Sequence, residues 1–319
     1  RVCEHSYSRR EFLGRAGSCA AHIGFLSALA PLGARRAWTA QERFPVVASE
    51  PWGRIEQIAD GVWALVSTPL EDATTLCNGG IIAGRSGVAV VEAFASDAAA
   101  RWMAEQAVRL TGRPPTHVVL THFHSDHTGG LRGAREASAP AILATPVTRD
   151  WTRQNDGAPN DILNRAIPLD TIRPTELDLG GRSVVIVPRR GHTASDVTVE
   201  VSDPRVVFCG DLVWNGMFPN YRDATPSRLS SAVRLLRATE ATTYVPGHGP
   251  LADPVAVDRY IDLLDDVEAA ARSAIEEGMS AQEAGAEYRL PAAMANWHRF
   301  RPQYFETAIQ AWMEELLRP

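Results

Sequence analysis

The segment His122-Phe123-His124-Ser125-Asp126-His127 constrains this 319-residue chain more than any other. It places four metal-ligand residue types within six positions, directly after the apolar run His117-Val118-Val119-Leu120, which reads as a buried strand. On extended residues at a strand end, alternate side chains share a face. His122 and His124 can then grip one cation while the following turn redirects Asp126 and His127 toward a second. Taken alone, the segment also suits a single zinc with three ligands and a water.

Three later segments repeat the theme. Gly191-His192-Thr193 follows a predicted strand, Cys209-Gly210-Asp211 ends another, and Pro246-Gly247-His248-Gly249-Pro250 follows a third. Ligand-type residues at strand ends are where α/β sheets place their sites. Five of the nine histidines fall in this set. His117 and His298 lack ligand-like surroundings and read as structural or exposed.

The remaining pattern is mixed α/β. Val62–Val66, Ile81–Ala83 and Val88–Val91 are short apolar runs between glycine-containing turns, as in a strand meander. A helix follows from Ala98 to Leu110, closed by Thr111-Gly112 and Pro114-Pro115, and Gly129-Gly130 opens the next. The second half has strands at Ser183–Val187, Val197–Val201, Val206–Phe208 and Thr243–Val245, with a helix from about Ser227 to Thr239. Beyond Pro250 the chain turns helical: Val257, Ile261, Leu264, Ala271 and Ile275 form one apolar stripe, and a last amphipathic stretch runs from about Pro302 to Leu317. Two β-rich halves, each followed by helix, suggest a four-layer αβ/βα sandwich, although periodicity permits other mixed folds.

In order, spacing and flanking glycines, residues 55 to 250 resemble the metallo-β-lactamase superfamily. The resemblance implies the αβ/βα sandwich, here with a C-terminal helical extension over 251–319. It also implies one metal held by His122, His124 and His192, a second by Asp126, His127 and His248, and Asp211 bridging both. The expected cofactor is two zinc ions, with iron or manganese as substitutes. Two cations about 3.5–4 Å apart lower the pKa of a water between them to about 7, supplying a hydroxide nucleophile that Asp126 can orient. Cys209 reads as strand core and Asp211 as the ligand.

Departures narrow the subgroup. Flavodiiron members carry glutamate where His124 stands. Class B1 β-lactamases have a bridging cysteine and often a substrate-binding lysine, whereas class B3 enzymes lack the bridging aspartate. The ligand set looks like that of glyoxalase II, lactonases and related hydrolases, and the stretch from Gly191 to Pro250 most resembles periplasmic metallohydrolases associated with quinoprotein or sulfur-oxidation systems. Glu92 stands where the family commonly has aspartate, and Ser195 replaces a frequent glycine before Asp196. The loops Thr68–Asn78, with Leu70, Glu71, Asp72 and Leu76, and Trp214–Tyr221, with Trp214, Met217, Phe218 and Tyr221, are the candidate substrate contacts; equally, the aromatics of the second pack it to the body.

Composition closes some alternatives. All 32 basic residues are arginine, which excludes lysine Schiff-base or general-base chemistry. A net charge of -6 gives no electrostatic reason to expect nucleic acid. Residues 1–40 hold Ser8-Arg9-Arg10-Glu11-Phe12-Leu13 before a mild apolar stretch from Ala16 to Ala30, which resembles a twin-arginine export signal. That implies the twin-arginine export machinery as a partner, a periplasmic location, a mature start between about Ala30 and Ala48, and no stable membrane insertion. Cys3 and Cys19 lie in this leader, leaving Cys77 and Cys209, so no disulfide framework is indicated. The expected activity is hydrolysis of an ester, thioester, lactone or amide of a small molecule, possibly a β-lactam. The alternatives are persulfide oxidation at a single iron, as in dioxygenases of similar fold, and a non-catalytic metal-binding partner of a redox system.

Overall fold

The computed structural model describes residues 43–318 apart from 70, 71, 156–159, 240 and 242. The twin-arginine segment, Cys3, Cys19, Leu70 and Glu71 lie outside the described residues. Eight strands form the first sheet in sequence order: β1 (Val46–Glu50), β2 (Gly53–Ala59), β3 (Val62–Ser67), β4 (Gly79–Ala83), β5 (Val88–Val91), β6 (His117–Val119), β7 (Ala141–Ala144) and β8 (Ile167–Pro168). The first five pair antiparallel as a meander; β5 to β8 are parallel. The switch follows from the connections, because parallel strands need a crossover and helices supply it. These helices are α1 (Asp97–Thr111), α2 (Ser125–Thr128), α3 (Leu131–Ser138), α4 (Pro146–Asn155) and α5 (Asn160–Asn164).

The second sheet holds β9 (Thr175–Asp178), β10 (Ser183–Pro188), β11 (Val197–Val201), β12 (Val206–Trp214) and β13 (Thr243–His248), in the order β13-β12-β11-β10-β9. Only β12 and β13 are parallel, joined through α6 (Pro226–Arg237). The chain then runs through α7 (Pro254–Glu277), α8 (Ala281–Glu287) and α9 (Tyr304–Leu316).

Strand β3 shows how the layers arise. All six of its residues are buried, because both faces of the sheet are covered. Val62, Ala64 and Val66 point into a core shared with Val199, Phe208 and Val245 of the second sheet. Trp63 and Leu65 point the other way, into a core with Trp102 and Met103 of α1. Helix α1 begins where the Ser96 side chain accepts from the Ala99 amide and ends at Gly112, whose left-handed conformation (φ 72°) suits a residue without Cβ. The outer face of the second sheet meets α6 to α9 in a third core, which includes Tyr244, Val257, Tyr260, Leu264 and Trp312. The expected four-layer αβ/βα sandwich is therefore present, and the C-terminal helices pack on it.

Details differ from the periodicity. In α7 the buried stripe runs through Val257, Tyr260, Leu263, Leu264, Val267, Ala271 and Ala274, while Ile261 and Ile275 sit half-buried at its margin. A tyrosine in the core displaced the register assumed from aliphatic residues alone. Strand β12 extends through Trp214, well past Phe208. No helix among the described residues is long and apolar enough to cross a membrane.

Candidate metal centre

Strand β6 stops at Val119, so His122 and His124 lie in the loop after the strand and not on its last extended residues. The loop is nevertheless pinned: Leu120 N–H donates to Leu143 at 3.0 Å, and Val197 N–H donates to the Thr121 carbonyl at 2.9 Å, tying it to both sheets. His124 is extended (φ -67°, ψ 145°) and begins the single helical turn α2. That turn comes before Gly129-Gly130, and it swings Asp126 and His127 away from His122 and His124. Asp211 lies within β12 beside a register break at Gly210, and His248 is the last residue of β13, paired with Trp214.

The structure brings all seven predicted residues together. His124 Nδ1 lies 3.1 Å from His122 Nε2 and 3.0 Å from His192 Nε2. Asp211 Oδ2 faces this trio, 3.4 Å from His192 Nε2 and 3.9 Å from His122 Nε2. Its other oxygen, Oδ1, is 3.1 Å from His127 Nε2 and 3.3 Å from His248 Nε2. Asp126 Oδ2 completes the second group, 3.4 Å from His127 Nε2 and 3.2 Å from His248 Nε2. Asp211 thus turns one oxygen to each group.

These residues suit divalent metal. His122, His124, His192 and Asp211 form one set with converging ligand atoms, and Asp126, His127 and His248 another, each within 4.8 Å. A tetrahedral zinc with bonds of about 2.0–2.1 Å has ligand atoms about 3.3 Å apart, close to the separations found. His127 Nε2 and Asp211 Oδ1, buried and 3.1 Å apart, are not aligned to hydrogen-bond to each other and have no other hydrogen-bond partner. Buried polar atoms left so cost free energy unless something satisfies them, and a cation would. The donor set of imidazole and carboxylate fits zinc, iron or manganese.

Supporting contacts fix the ring orientations. Asp223 Oδ2 lies 3.0 Å from His124 Nε2, leaving Nδ1 for the cluster. Glu92 accepts from the Thr121 hydroxyl at 2.5 Å and approaches His127 Nδ1 at 3.0 Å; Thr121 Oγ1 lies 3.0 Å from His122 Nδ1. One buried carboxylate therefore braces a histidine of each group. Asp196 accepts from the Thr193 hydroxyl at 2.6 Å and from its amide, ordering the turn that carries His192. Asn78 donates to Pro246 and Gly249, locking the loop around His248. Gly247 leaves room for the bridging carboxylate, since a Cβ there would lie 1.9 Å from Asp211 Oδ1.

Asp223, Thr121 and Asn78 escaped the sequence reading. Isolated aspartate, threonine and asparagine carry no spacing signal, and Asp223 meets His124 across 99 residues. Glu92 stood out only by its place at a strand end. Its added methylene comes with a left-handed backbone (φ 75°), uncommon for a residue with a side chain. Ser195, in place of glycine, spends its hydroxyl on Thr148 at 3.0 Å.

The electrostatics draw positive charge inward. Burial raises the carboxyls of Asp126 and Asp211, but the neighbouring histidines outweigh it and hold both well below the usual range. Burial lowers His248, yet Asp211 and Asp126 carry it to about 9. Burial lowers His192 to about 3. Burial also pushes the Cys77 thiol up to about 12 and raises Cys209, so neither offers a thiolate. Both cysteines are free and buried, and Cys209 belongs to the strand core as expected.

The surroundings revise the loop assignments. Trp214, Met217, Phe218 and Tyr221 are all at most 2% exposed and pack the C-terminal helices onto the body. They form no open wall, although the Trp214 ring lies 4.1 Å from that of His248. Leu76 is buried as well, and Asp72 caps its own turn by accepting from Thr74 N–H. His117 is half-buried beside Thr116.

Residues 74–248 match the model of the metallo-beta-lactamase superfamily. The chain is 24% identical over 218 residues to a metallo-beta-lactamase type 2 of Bacillus cereus, covering 66% of this chain and 82% of that protein. It is 30% identical over 203 residues to a hydroxyacylglutathione hydrolase of Acidiphilium cryptum, covering 63% and 75%. A solved metallo-beta-lactamase of Erythrobacter litoralis shares the fold with a TM-score of 0.58 at 22% identity, over 70% of this chain and all of that one. With this sandwich, this site and these relatives, the chain belongs to the metallo-β-lactamase superfamily of metal-dependent hydrolases.

Proposed function

We propose that the protein is a dinuclear, zinc-dependent hydrolase that cleaves an ester, thioester, lactone or amide bond. The observation that carries this reading is the bidirectional Asp211, whose Oδ2 faces His122 and His192 and whose Oδ1 faces His127 and His248. His122, His124 and His192 would hold one ion, Asp126, His127 and His248 the other, with Asp211 between. Two such ions would polarise the scissile carbonyl and acidify water at neutral pH. The chain's own residues do the rest. Asp126 is the most exposed of the seven, its side chain 25% accessible, and is placed to orient the attacking water and hold its proton. The buried histidines and their carboxylate braces keep the geometry fixed, so no reorganisation is needed as charge develops.

Relatives named as a β-lactamase and as a hydroxyacylglutathione hydrolase support acyl substrates. The full seven-residue set favours two ions over the single iron of a persulfide dioxygenase. The twin-arginine pattern at Arg9-Arg10 supports export to the periplasm, which cell fractionation tests directly. Metal analysis together with turnover of chromogenic lactam, thioester and lactone substrates tests the activity. Two zinc per chain with turnover abolished by Asp126→Ala is the expected result. One iron per chain, or two metals with no turnover of any substrate, overturns it.

A further inference from the structure

The five histidines of the candidate centre are not supported alike. His124 Nε2 meets Asp223, His122 Nδ1 meets Thr121, and His127 Nδ1 lies 3.0 Å from Glu92. Such polar backing on the outer nitrogen is usual for a ligating imidazole. His192 and His248 lack it: among the described residues their buried Nδ1 atoms have no hydrogen-bond partner. The His192 ring instead packs edge-on against His122 and His124, with centroids 5.0 and 4.8 Å away. His248 has one such neighbour in the ligand set, His127 at 5.7 Å. Its closer ring contacts come from outside that set.

The Trp214 ring lies against His248 with centroids 4.1 Å apart and planes inclined by 35°. Strand register pairs the two residues, and Asn215 N–H donates to the His248 carbonyl at 3.1 Å. The indole N–H donates to the Asp211 carbonyl at 3.1 Å, so one side chain touches the His248 ring and the backbone of the bridging aspartate. Phe300 stands edge-on to both rings, 5.4 Å and 81° from His248, 5.9 Å and 80° from Trp214. It arrives from the C-terminal extension, and the two residues before it are anchored. His298 N–H donates to Gly216 at 3.0 Å and its carbonyl accepts from Phe218 N–H at 2.8 Å, while the Arg299 guanidinium lies 4.0 Å from the centre of the Phe305 ring.

We propose that Trp214 and Phe300 are positioning residues for the second metal position: two rings bracket the His248 imidazole and do for it what Thr121, Asp223 and Glu92 do for His122, His124 and His127. The proposal deepens the two-ion reading above and rests on it. It also makes the extension, beyond the matched residues 74–248, part of the metal centre. Rings packed on one face and one edge restrict the tilt of the imidazole while its Nε2 stays toward Asp126 and Asp211. An imidazole bonded to a cation carries more positive charge than a free one, and the face of an indole attracts that charge. The bracket therefore favours the loaded form of the second position.

The test titrates zinc, and separately cobalt(II), into the metal-stripped full chain against a competing chelator. Trp214→Leu should weaken the second ion about tenfold or more and the first by less than about threefold. Trp214→Phe puts a ring back in the same place and should recover most of that affinity, leaving a loss of about threefold from its less electron-rich face. Phe300→Leu keeps apolar bulk at a half-buried position and should cost the second ion about threefold. Cobalt supplies a signature that a purely structural role would not move: in both leucine variants the visible absorption of the second equivalent should change and that of the first should not. Equal weakening of both ions, or wild-type affinity and spectrum for the second ion in the leucine variants, overturns the proposal. Should Trp214→Leu fail to fold, Phe300→Leu and Trp214→Phe decide it by the same criteria. Because binding is read without turnover, a chain that takes up two ions and hydrolyses nothing ends the hydrolase reading while the titrations still judge the bracket. A wild type that binds a single ion ends the two-ion reading and the bracket with it.

Discussion

The two halves of the metal centre are built differently. His122, His124 and His192 are buried, and their group is braced from outside by Asp223 and from behind by Thr121. The group of Asp126, His127 and His248 includes the one candidate ligand of the seven with substantial solvent access, and the half-buried Phe300 lies beside His248. Enclosure favours retention of an ion, because every ligand rotamer is held by packing and hydrogen bonds. Access favours exchange of water and entry of substrate. Under the proposed two-ion reading, the first position would be the tighter site and the second the working face.

The sharpest way to break this comparison is to remove what the two positions share. Asp211→Ala should strip both ions to less than one per chain and cut activity by about 10³-fold or more; plasma mass spectrometry beside a turnover assay checks it. Retention of two ions would mean that Asp211 is no bridge. Next, His248→Ala should cost about 10²–10³-fold in activity while leaving one ion bound. Loss of both ions at once would erase the distinction between positions.

Acidification should separate the positions without mutation. A metal-free His248 with pKa about 9 holds a proton at neutral pH, and a ligating imidazole must release it. Its contribution to affinity should thus be complete above pH 9 and fall about tenfold per pH unit below. His127 is also raised and adds to the loss at the second position. At the first position His192, near 3, and the lowered His122 are already neutral, and only His124 is raised. Competition titrations from pH 9 to 6 should show the second ion weakening first; parallel weakening would contradict the picture.

Asp223→Asn should weaken the first ion by about tenfold, because the amide no longer fixes the His124 tautomer as a carboxylate does. An effect confined to the second ion would misplace that brace. The smallest change expected is Ser195→Gly, which removes the hydroxyl's bond to Thr148 at 3.0 Å and its longer contact with Thr193 at 3.4 Å and should cost about 1 kcal/mol in a denaturant titration. A drop in metal affinity there would show that the His192 turn is coupled more tightly to the site than its contacts indicate.

How far this was legible in advance depends on sequence distance. All seven candidate ligands could be read because each sits within a few residues of a strand end and beside glycines, a local pattern. The apolar runs likewise gave β3, β4, β5, β10 and β11 nearly to the residue, since alternation and burial on both faces leave an unambiguous mark. Strands β1 and β2 went unread: Glu56, buried beneath Arg54 at 2.8 Å, and the polar Arg54 and Gln57 obscure their periodicity. Trp214, Met217, Phe218 and Tyr221 were aromatic enough for either a wall or a core. Only the arrival of α7 and α9 makes them core.

By itself, then, the sequence determined the layer architecture, the presence of a clustered histidine–aspartate site and the absence of lysine chemistry, all properties of residue type and short-range spacing. Tertiary structure decided which oxygen of Asp211 faces which histidines. It also decided that Asp223 and Glu92 brace rings far away in the chain, and that Phe300 reaches His248 from the helical extension. Those depend on how the two sheets and their outer helices close on one another, and such long-range contacts leave no periodic trace in a single chain.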